Sequence, residues 1–236
     1  MAVDEAILEA VAEGKQLATL RLYGWLPSAV TIGYFQSLHE EVDVFASLQQ
    51  SVDVIRRITG GGAVYHDKEI TYSFSIRQDN GLISKDILSS YSQISQGVIE
   101  GLKEFSIDAK FVPLNDIVIH DRKVSGNAQT RKQNTILQHG TVLLDVDVRK
   151  MFSFLQVSDE KIRDKLITNV EERVTSLKQQ AGKEISFVEA QNALVKGFAR
   201  AFAAEFVVSF LSTEEQQRAS VIEKEKYKNL HWNRMR

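Results

Sequence analysis

Residues 56–67 read Arg-Arg-Ile-Thr-Gly-Gly-Gly-Ala-Val-Tyr-His-Asp and lie between two predicted strands. Three consecutive glycines are costly inside a strand, since each loses backbone entropy and packs no side chain. In a loop they let several backbone N–H groups approach one ligand, and the two arginines add fixed positive charge. The stretch therefore predicts an anion-binding loop. A plain glycine turn, with its arginines on a solvated edge, is the alternative.

Neither common nucleotide motif is present in this stretch, because no Lys-Ser/Thr follows the glycines and their spacing is not Gly-x-Gly-x-x-Gly. Residues 29–35 and 52–58 on either side of a polar connection are predicted strands. Residues 69–76 alternate apolar and polar side chains, which is typical of a strand with one buried face. Residues 84–105 then follow a helical period.

The last third of the chain is predicted to be mostly helical. Ser186 and Ser212 each begin a capping box, with glutamate three residues later. Strands in runs, with helices between and after them, predict an α+β fold with a mixed β-sheet and flanking helices. We expect a single catalytic domain over residues 1–236, with a helix-rich C-terminal third and no accessory domain after it.

A second stretch, residues 115–129, places Lys123 directly before Val-Ser-Gly-Asn-Ala. Residues 116–119 and 122–128 are predicted to pair as a hairpin around His120 and Asp121. A lysine beside a tight turn of small residues supplies a compact, mobile charge for a carboxylate or phosphoryl oxygen. Asp116 is a candidate Mg²⁺ ligand. Residue types alone leave a surface hairpin with unremarkable charges as the alternative.

A third stretch, Gln138-His-Gly-Thr141, enters another predicted strand. A lone histidine at such a position is more often structural than catalytic.

The composition of the chain excludes several classes of function. The chain has a formal charge of −2, no cysteine and no apolar run long enough to span a membrane. Disulfides, thiolate–zinc sites and cysteine nucleophiles are thereby excluded. We expect a cytoplasmic protein that binds neither nucleic acid nor membrane.

In these three stretches the chain resembles the lipoate–protein ligase family, within the biotin/lipoyl ligase and octanoyltransferase superfamily. Weaker similarity runs through Glu172-Arg-Val-Thr-Ser-Leu177 to Trp232-Asn233. The resemblance implies a fold like that of the catalytic domains of biotin ligases and class II aminoacyl-tRNA synthetases. It also implies a two-step reaction, in which lipoate and ATP form lipoyl-AMP and a lysine of a lipoyl domain then displaces AMP.

By this resemblance Lys123 is the catalytic residue and ATP is a cofactor. Mg²⁺ is the second expected cofactor, and Asp116 is its candidate ligand because a hard oxygen donor suits that ion. The predicted residues for binding ATP and lipoyl-AMP are Arg56, Arg57, Gly60, Gly61, Gly62, Ala63, Val64, Tyr65, His66, Asn115, Asp116, Lys123, Ser125, Gly126, His139, Gly140 and Thr141. The implied partners are lipoate and lipoyl domains of the 2-oxoacid dehydrogenase E2 or glycine cleavage H protein type. Because the chain stops just after Trp232-Asn233, we also expect a separate accessory ligase subunit.

Three competing functions remain. Residues 124–131 and 137–140 also look like octanoyl or lipoyl transferases, which pass the acyl group through a cysteine thioester. The chain has no cysteine, and the stretch between Pro113 and Lys123 is too short for their cysteine-bearing segment. Lack of a cysteine and of that segment favours the ligase over the transferase. The second competing function is biotin ligation by the same adenylate chemistry, and the third is that of a non-catalytic binding subunit.

Overall fold

The computed structural model of the protein describes residues 1–156 and 160–236. Its strands are β1 (Thr19–Tyr23), β2 (Ala29–Ile32), β3 (Asp53–Arg56), β4 (Val64–His66), β5 (Glu69–Arg77), β6 (Lys110–Val112), β7 (Asp116–Ile119), β8 (Arg122–Lys132) and β9 (Thr135–Leu143). Its α-helices are α1 (Ala2–Ala12), α2 (Leu38–Glu41), α3 (Val44–Gln49), α4 (Ile87–Leu102), α5 (Val148–Met151), α6 (Glu160–Arg173), α7 (Leu177–Ala181), α8 (Phe187–Phe202), α9 (Thr213–Ile222) and α10 (Leu230–Asn233). A 3₁₀ turn (Lys103–Phe105) follows α4, and a π-helical turn (Glu223–Tyr227) follows α9.

The strands form two sheets, which we call the main sheet and the small sheet. The main sheet has the order β1-β5-β9-β8-β7-β6, with every neighbouring pair antiparallel. The small sheet has the order β3-β2-β4, in which β2 runs parallel to β3 and antiparallel to β4. The predicted α+β class, with a mixed sheet and flanking helices, is confirmed.

The core lies where α4 and α8 cover one face of the main sheet. On β5 the alternating side chains of Ile70, Tyr72, Phe74 and Ile76 are almost fully buried on that face. Phe198 of α8 packs against two of them, with ring centroids 5.4 Å from Tyr72 and 5.6 Å from Phe74. Burial of such large side chains is the main stabilising contribution to a fold of this size.

The polar face of β5 is buried as well, which the alternating pattern does not predict. Glu69, Thr71, Ser73 and Ser75 are all 3% exposed or less. Helix α1 lies over β5, and the small sheet faces the start of the strand, where His66 bonds Glu69. Polar side chains are therefore held between two layers, where hydrogen bonds must replace water.

Local predictions for the hairpin and the helix starts are confirmed. β7 and β8 pair around His120 and Asp121, which have φ of 47° and 61°, as a two-residue hairpin turn requires. Both capping boxes are formed, at Ser186 for α8 and at Ser212 for α9. Within the described residues, no helix is both long and apolar enough to cross a membrane.

Candidate active site

A cavity of about 320 Å³ lies between the two sheets. Strands β5, β8 and β9 supply one wall, and β2, β4 and the glycine loop of residues 57–63 supply another. The end of β9, the segment after it with α5, and the end of α6 with the residue that follows it add apolar side chains, which are Leu143, Val146, Val148, Met151, Val170 and Val174. A volume of this size with mostly apolar walls suits a small organic ligand.

The glycine loop takes its shape from the order of the small sheet. Because β2 lies between β3 and β4, the chain leaving β3 must pass over the end of β2 to reach β4. It crosses at Gly33, where a β-carbon would come within 2.0 Å of the Gly61 carbonyl oxygen. Gly61 itself has a φ of +95°, which residues with a side chain rarely adopt. Gly33 and Gly61 are thus needed for the crossing, whether or not an anion binds.

Arg57 holds this loop from inside the protein. Its Nη1 donates to the Thr31 carbonyl oxygen (3.0 Å) and hydroxyl (2.8 Å), and its Nη2 donates to the carbonyl oxygens of Gly60 (3.0 Å) and Gly62 (2.9 Å). All of these acceptors are neutral, and burial lowers the pKa of Arg57 to about 10. The cavity wall therefore carries a positive charge that favours an anion or a developing negative charge.

Arg56 does not line the cavity. Its side chain is fully buried and donates to the carbonyl oxygens of Gly33 and Tyr34 and, in the C-terminal segment, of Trp232 and Asn233. Adjacent residues of an extended chain point to opposite sides, so only one of the two arginines can face the cavity. The structure thus gives Arg56 a role in joining chain segments rather than in binding a ligand.

A β-bulge aims Lys123 at the cavity. Along β7 and β8, Asp116 pairs with Gly126, Ile117 with Ser125 and Val118 with Lys123, so that Val124 is left without a partner. Without this extra residue, the alternation of side chains would turn Lys123 towards the core. Instead Lys123 lies on the same face as Asp116, and its Nζ is 2.7 Å from Asp116 Oδ1. The Thr175 N–H, which donates to the Lys123 carbonyl oxygen over 2.8 Å, holds the backbone from the other side.

His139 is a buried, neutral member of the site. Its Nε2 is 2.7 Å from the Thr59 hydroxyl, which ties β9 to the glycine loop. Burial, followed by the positive charge of Arg57, lowers the pKa of His139 to about 3. A histidine that stays neutral at pH 7 can hold the loop and accept a hydrogen bond from a ligand, but it adds no charge.

A second histidine, His66, belongs to a chain of hydrogen bonds at one end of the cavity. Its Nε2 is 2.7 Å from the Thr31 hydroxyl and its Nδ1 is 2.6 Å from Glu69 Oε1. The Thr71 hydroxyl donates to the same carboxylate oxygen and accepts from Trp25 Nε1, and the Trp25 ring stacks on His66 at 4.1 Å. Sequence reasoning missed Glu69 and Trp25. A glutamate at the start of a strand, only three residues after His66, is the signal in the sequence that could have pointed to this pair.

The structure brings most of the predicted site residues together around this one cavity. Those that line it are Arg57, Gly61, Gly62, Ala63, Val64, Tyr65, His66, Asn115, Lys123, Ser125, Gly126, His139, Gly140 and Thr141. Gly60 and Asp116 lie just behind this lining, against Arg57 and Lys123 respectively. Gly140 makes room for a neighbour, since a β-carbon there would come within 2.1 Å of Asn127 Oδ1.

Asp116, the predicted Mg²⁺ ligand, instead forms an ion pair with Lys123. Among the described residues, no group of three or more acidic or histidine side chains is placed to hold a metal ion. Lys123, the buried charge of Arg57 and the apolar walls lie around one cavity. Such an arrangement is suited to polarising a carbonyl group attached to an apolar chain. It is a candidate site for binding an acyl group, on an α+β scaffold.

The family follows from comparison with known proteins. A family model described as the lipoyl protein ligase A/B catalytic domain matches residues 1–199. The chain belongs to this family, which confirms the resemblance carried by the three sequence stretches. Lipoylation, a modification of proteins, is the process that the family serves.

The similar proteins include transferases and a two-part ligase. The octanoyltransferase LipM of Clostridioides difficile is 36% identical over 100% of this chain and 94% of its own length. The octanoyltransferase LipM of Kyrpidia tusciae is 36% identical over 99% of this chain and 93% of its own. A bipartite lipoate protein ligase from Thermoplasma acidophilum has a solved structure with a TM-score of 0.88 and 30% identity, covering 98% of this chain and 89% of that one.

These relatives correct the expected reaction. The curated relatives, at 30–36% identity across essentially the whole chain, are octanoyltransferases. The expectation of an ATP-dependent lipoate–protein ligase is therefore wrong, and so is that of ATP and Mg²⁺ as cofactors. The glycine loop and paired arginines, which suggested phosphate binding, are explained by the crossing at Gly33 and by the bonds that Arg56 and Arg57 make to backbone carbonyls.

Proposed function

We propose that the chain is an acyltransferase that moves an octanoyl group from a thioester donor to the ε-amine of a lysine in a lipoyl domain. Similarity to octanoyltransferases supports the acyl group, and membership of a lipoylation family supports the acceptor. The observation that carries the proposal is the position of Lys123. Its ammonium, held by Asp116, lies on the wall of a cavity whose other walls include a row of apolar side chains.

Lys123 and the apolar walls take different parts of the donor. The walls accept the hydrocarbon chain, and the ammonium meets the carbonyl oxygen. As the acceptor nitrogen attacks the carbonyl carbon, negative charge develops on that oxygen, and Lys123 stabilises it. The buried charge of Arg57 strengthens the same effect, because it has neutral partners and lies in a site of low dielectric.

The transfer proceeds directly from donor to acceptor. The C–N bond forms, the C–S bond breaks, and the departing thiolate takes up the proton that the nitrogen loses. The chain has no cysteine to carry the acyl group between these steps. The Ser125 hydroxyl is fully buried and lies 3.4 Å from the amide oxygen of Asn127, which cannot act as a base. An amide on Lys123 would be too stable to pass the group on.

The test is a transfer assay that omits ATP. The protein is mixed with a purified lipoyl domain and an octanoyl thioester of coenzyme A or of a carrier protein. The mass of the lipoyl domain is then measured by mass spectrometry. We expect a gain of one octanoyl group. The gain should disappear when the acceptor lysine is replaced by arginine or when Lys123 is replaced by alanine. No gain with either donor would contradict the proposal.

The absence of cysteine favours a second candidate, a subunit that binds an acylated partner without turning it over. The same assay separates the two, because a binding subunit retains the lipoyl domain or the donor but leaves their masses unchanged. Similarity to a bipartite lipoate protein ligase supports the expectation of an accessory polypeptide. The assay is therefore run with and without extract from the source cells.

A further inference from the structure

A buried polar cluster lies within the main sheet beside Lys123. Its centre is the Tyr72 hydroxyl, which donates to Asn127 Oδ1 over 2.6 Å and accepts from Gln138 Nε2 over 2.8 Å. The three side chains are 0–3% exposed. Buried polar groups that are mutually bonded fix each other's positions, because any movement leaves one of them without a partner.

The cluster reaches the cavity through Asn127. The Asn115 carbonyl oxygen accepts from both the backbone N–H of Asn127 (3.0 Å) and its Nδ2 (2.9 Å). In return, Asn115 Nδ2 donates to the Asn127 carbonyl oxygen over 2.6 Å. Gly140 leaves the space that the Asn127 amide occupies, since a β-carbon there would come within 2.1 Å of Asn127 Oδ1. Together these bonds clamp Asn115 at the entry to β7.

Asn115 directly precedes Asp116, which pairs with Lys123. We propose that Asn127 is a positioning residue for acyl transfer: held by Tyr72, it fixes Asn115 and thereby sets the Asp116–Lys123 ion pair at the cavity wall. Asn127 acts through these neighbours and not through contact with the reacting atoms. The inference rests on the proposed function, because it assigns to Lys123 the role given there.

The substitution Asn127→Asp keeps the shape of the side chain and the acceptor for Tyr72, but it places a carboxylate oxygen against the Asn115 carbonyl oxygen. We expect kcat for octanoyl transfer to fall by about 10- to 100-fold, as a small misplacement of a catalytic group does. The KM for the thioester should stay unchanged, because the apolar walls are intact. Protonation at low pH restores a donor at that oxygen, so the ratio of variant to wild-type rate should rise as the pH is lowered.

The matched control is Gln133→Glu, the same exchange of amide for acid at an exposed position in the turn between β8 and β9. Gln133 lies outside the cluster of Tyr72, Asn127 and Gln138, and its side chain does not contact Asn115. We expect this control to keep the wild-type kcat and a constant rate ratio across the pH range. Tyr72→Phe is the second test variant. It removes the bond to Asn127 Oδ1 but keeps the clamp on Asn115, so its kcat should fall less.

A second readout does not depend on turnover. Labelling by an amine-acetylating reagent, followed by peptide mass spectrometry, measures how readily Lys123 reacts relative to the exposed Lys183. Loosening the ion pair with Asp116 should raise the labelling of Lys123 severalfold in Asn127→Asp and leave it unchanged in Gln133→Glu. If Asn127→Asp does not fold, Tyr72→Phe decides by the same two readouts.

Unchanged kcat and unchanged Lys123 labelling in a folded variant would overturn the inference. A wild-type protein that transfers no acyl group, but whose Lys123 labelling responds to Asn127→Asp as expected, would overturn the proposed function and leave the positioning role supported. The two failures are therefore distinguishable.

Discussion

Gly126 lies directly beneath the side chain of Lys123. A β-carbon on Gly126 would come within 2.9 Å of both Cε and Nζ of the lysine, and within 3.9 Å of Asp116 Oδ1. The ammonium can rest against β8, next to its carboxylate partner, only because this position has no side chain. Gly126 is therefore needed to leave space for the Lys123 ammonium, and not for a turn of the backbone.

Gly126→Ala is expected to keep the fold and lose most of the transfer activity. The methyl group displaces the flexible end of Lys123, which costs little stability but moves the ammonium from its place. We expect kcat to fall by about 10- to 100-fold. Steady-state octanoyl transfer and the melting temperature measure the two effects. Thr130→Ala, further along β8, is the control. Equal activities in the two variants would argue against a Lys123 ammonium that rests over Gly126.

Lys123→Ala should lower the transfer rate by about 10²–10³, as the loss of one charge-stabilising donor does. The free energy of unfolding should change by no more than about 1 kcal/mol, because the ion pair with Asp116 is partly exposed to water. Lys123→Arg should fail as well, since a planar fork cannot replace a compact charge in the same space. Transfer kinetics and urea denaturation check both statements, and an active arginine variant would contradict the second.

Gly61→Ala is expected to destabilise the protein by about 1–2 kcal/mol, because its φ of +95° is unfavourable for a residue with a β-carbon. Gly62→Ala is the matched control: its β-carbon would meet nothing within 4 Å and its backbone needs no positive φ. We expect the control to stay within about 0.5 kcal/mol of the wild type. Urea denaturation measures the difference, and equal stabilities would show that the loop relaxes freely.

His139 should make stability depend on pH. Its pKa is about 3 in the folded protein and near 6.5 in the unfolded chain, mainly because burial disfavours its charged form. Between these pH values the unfolded state binds a proton that the folded state does not. The free energy of unfolding that comes from a neutral His139 is therefore fully present above pH 6.5 and is lost as the pH falls towards 3. The slope is about 1.4 kcal/mol per pH unit for one proton. His139→Gln should show a shallower loss of stability between pH 6.5 and 4.5 in denaturation experiments, and parallel curves would refute the assignment.

Local rules predicted the elements whose residues interact with near neighbours in sequence. The hairpin at His120 and the capping boxes at Ser186 and Ser212 depend on contacts within a few residues, so the sequence pattern determines them. The burial of Glu69 could not be predicted in this way. Its partner His66 lies on the small sheet, and the packing of that sheet against β5 depends on the whole topology.

For the site, residue types indicated the right cavity but not the role of each member. Two adjacent arginines look equivalent in sequence, although the alternation of an extended chain sends them to opposite sides. The bulge at Val124, which turns Lys123 towards the cavity, has no signature in a single sequence. Asn127 was missed because its partners, Tyr72 and Asn115, are brought to it by strand pairing.

The bonds between Arg56 and α10 have a consequence for the order in which the protein forms during synthesis. The Arg56 guanidinium donates to the carbonyl oxygens of Trp232 and Asn233, and the Trp232 indole donates back to the Arg56 carbonyl oxygen over 2.9 Å. A ribosome releases these two residues long after β3 has emerged. Until then a fully buried cation lacks part of its set of acceptors, so the small sheet completes its hydrogen bonds only once α10 has left the ribosome. The nascent chain up to α8 can bury the core of the main sheet first, and the binding cavity is among the last parts to mature.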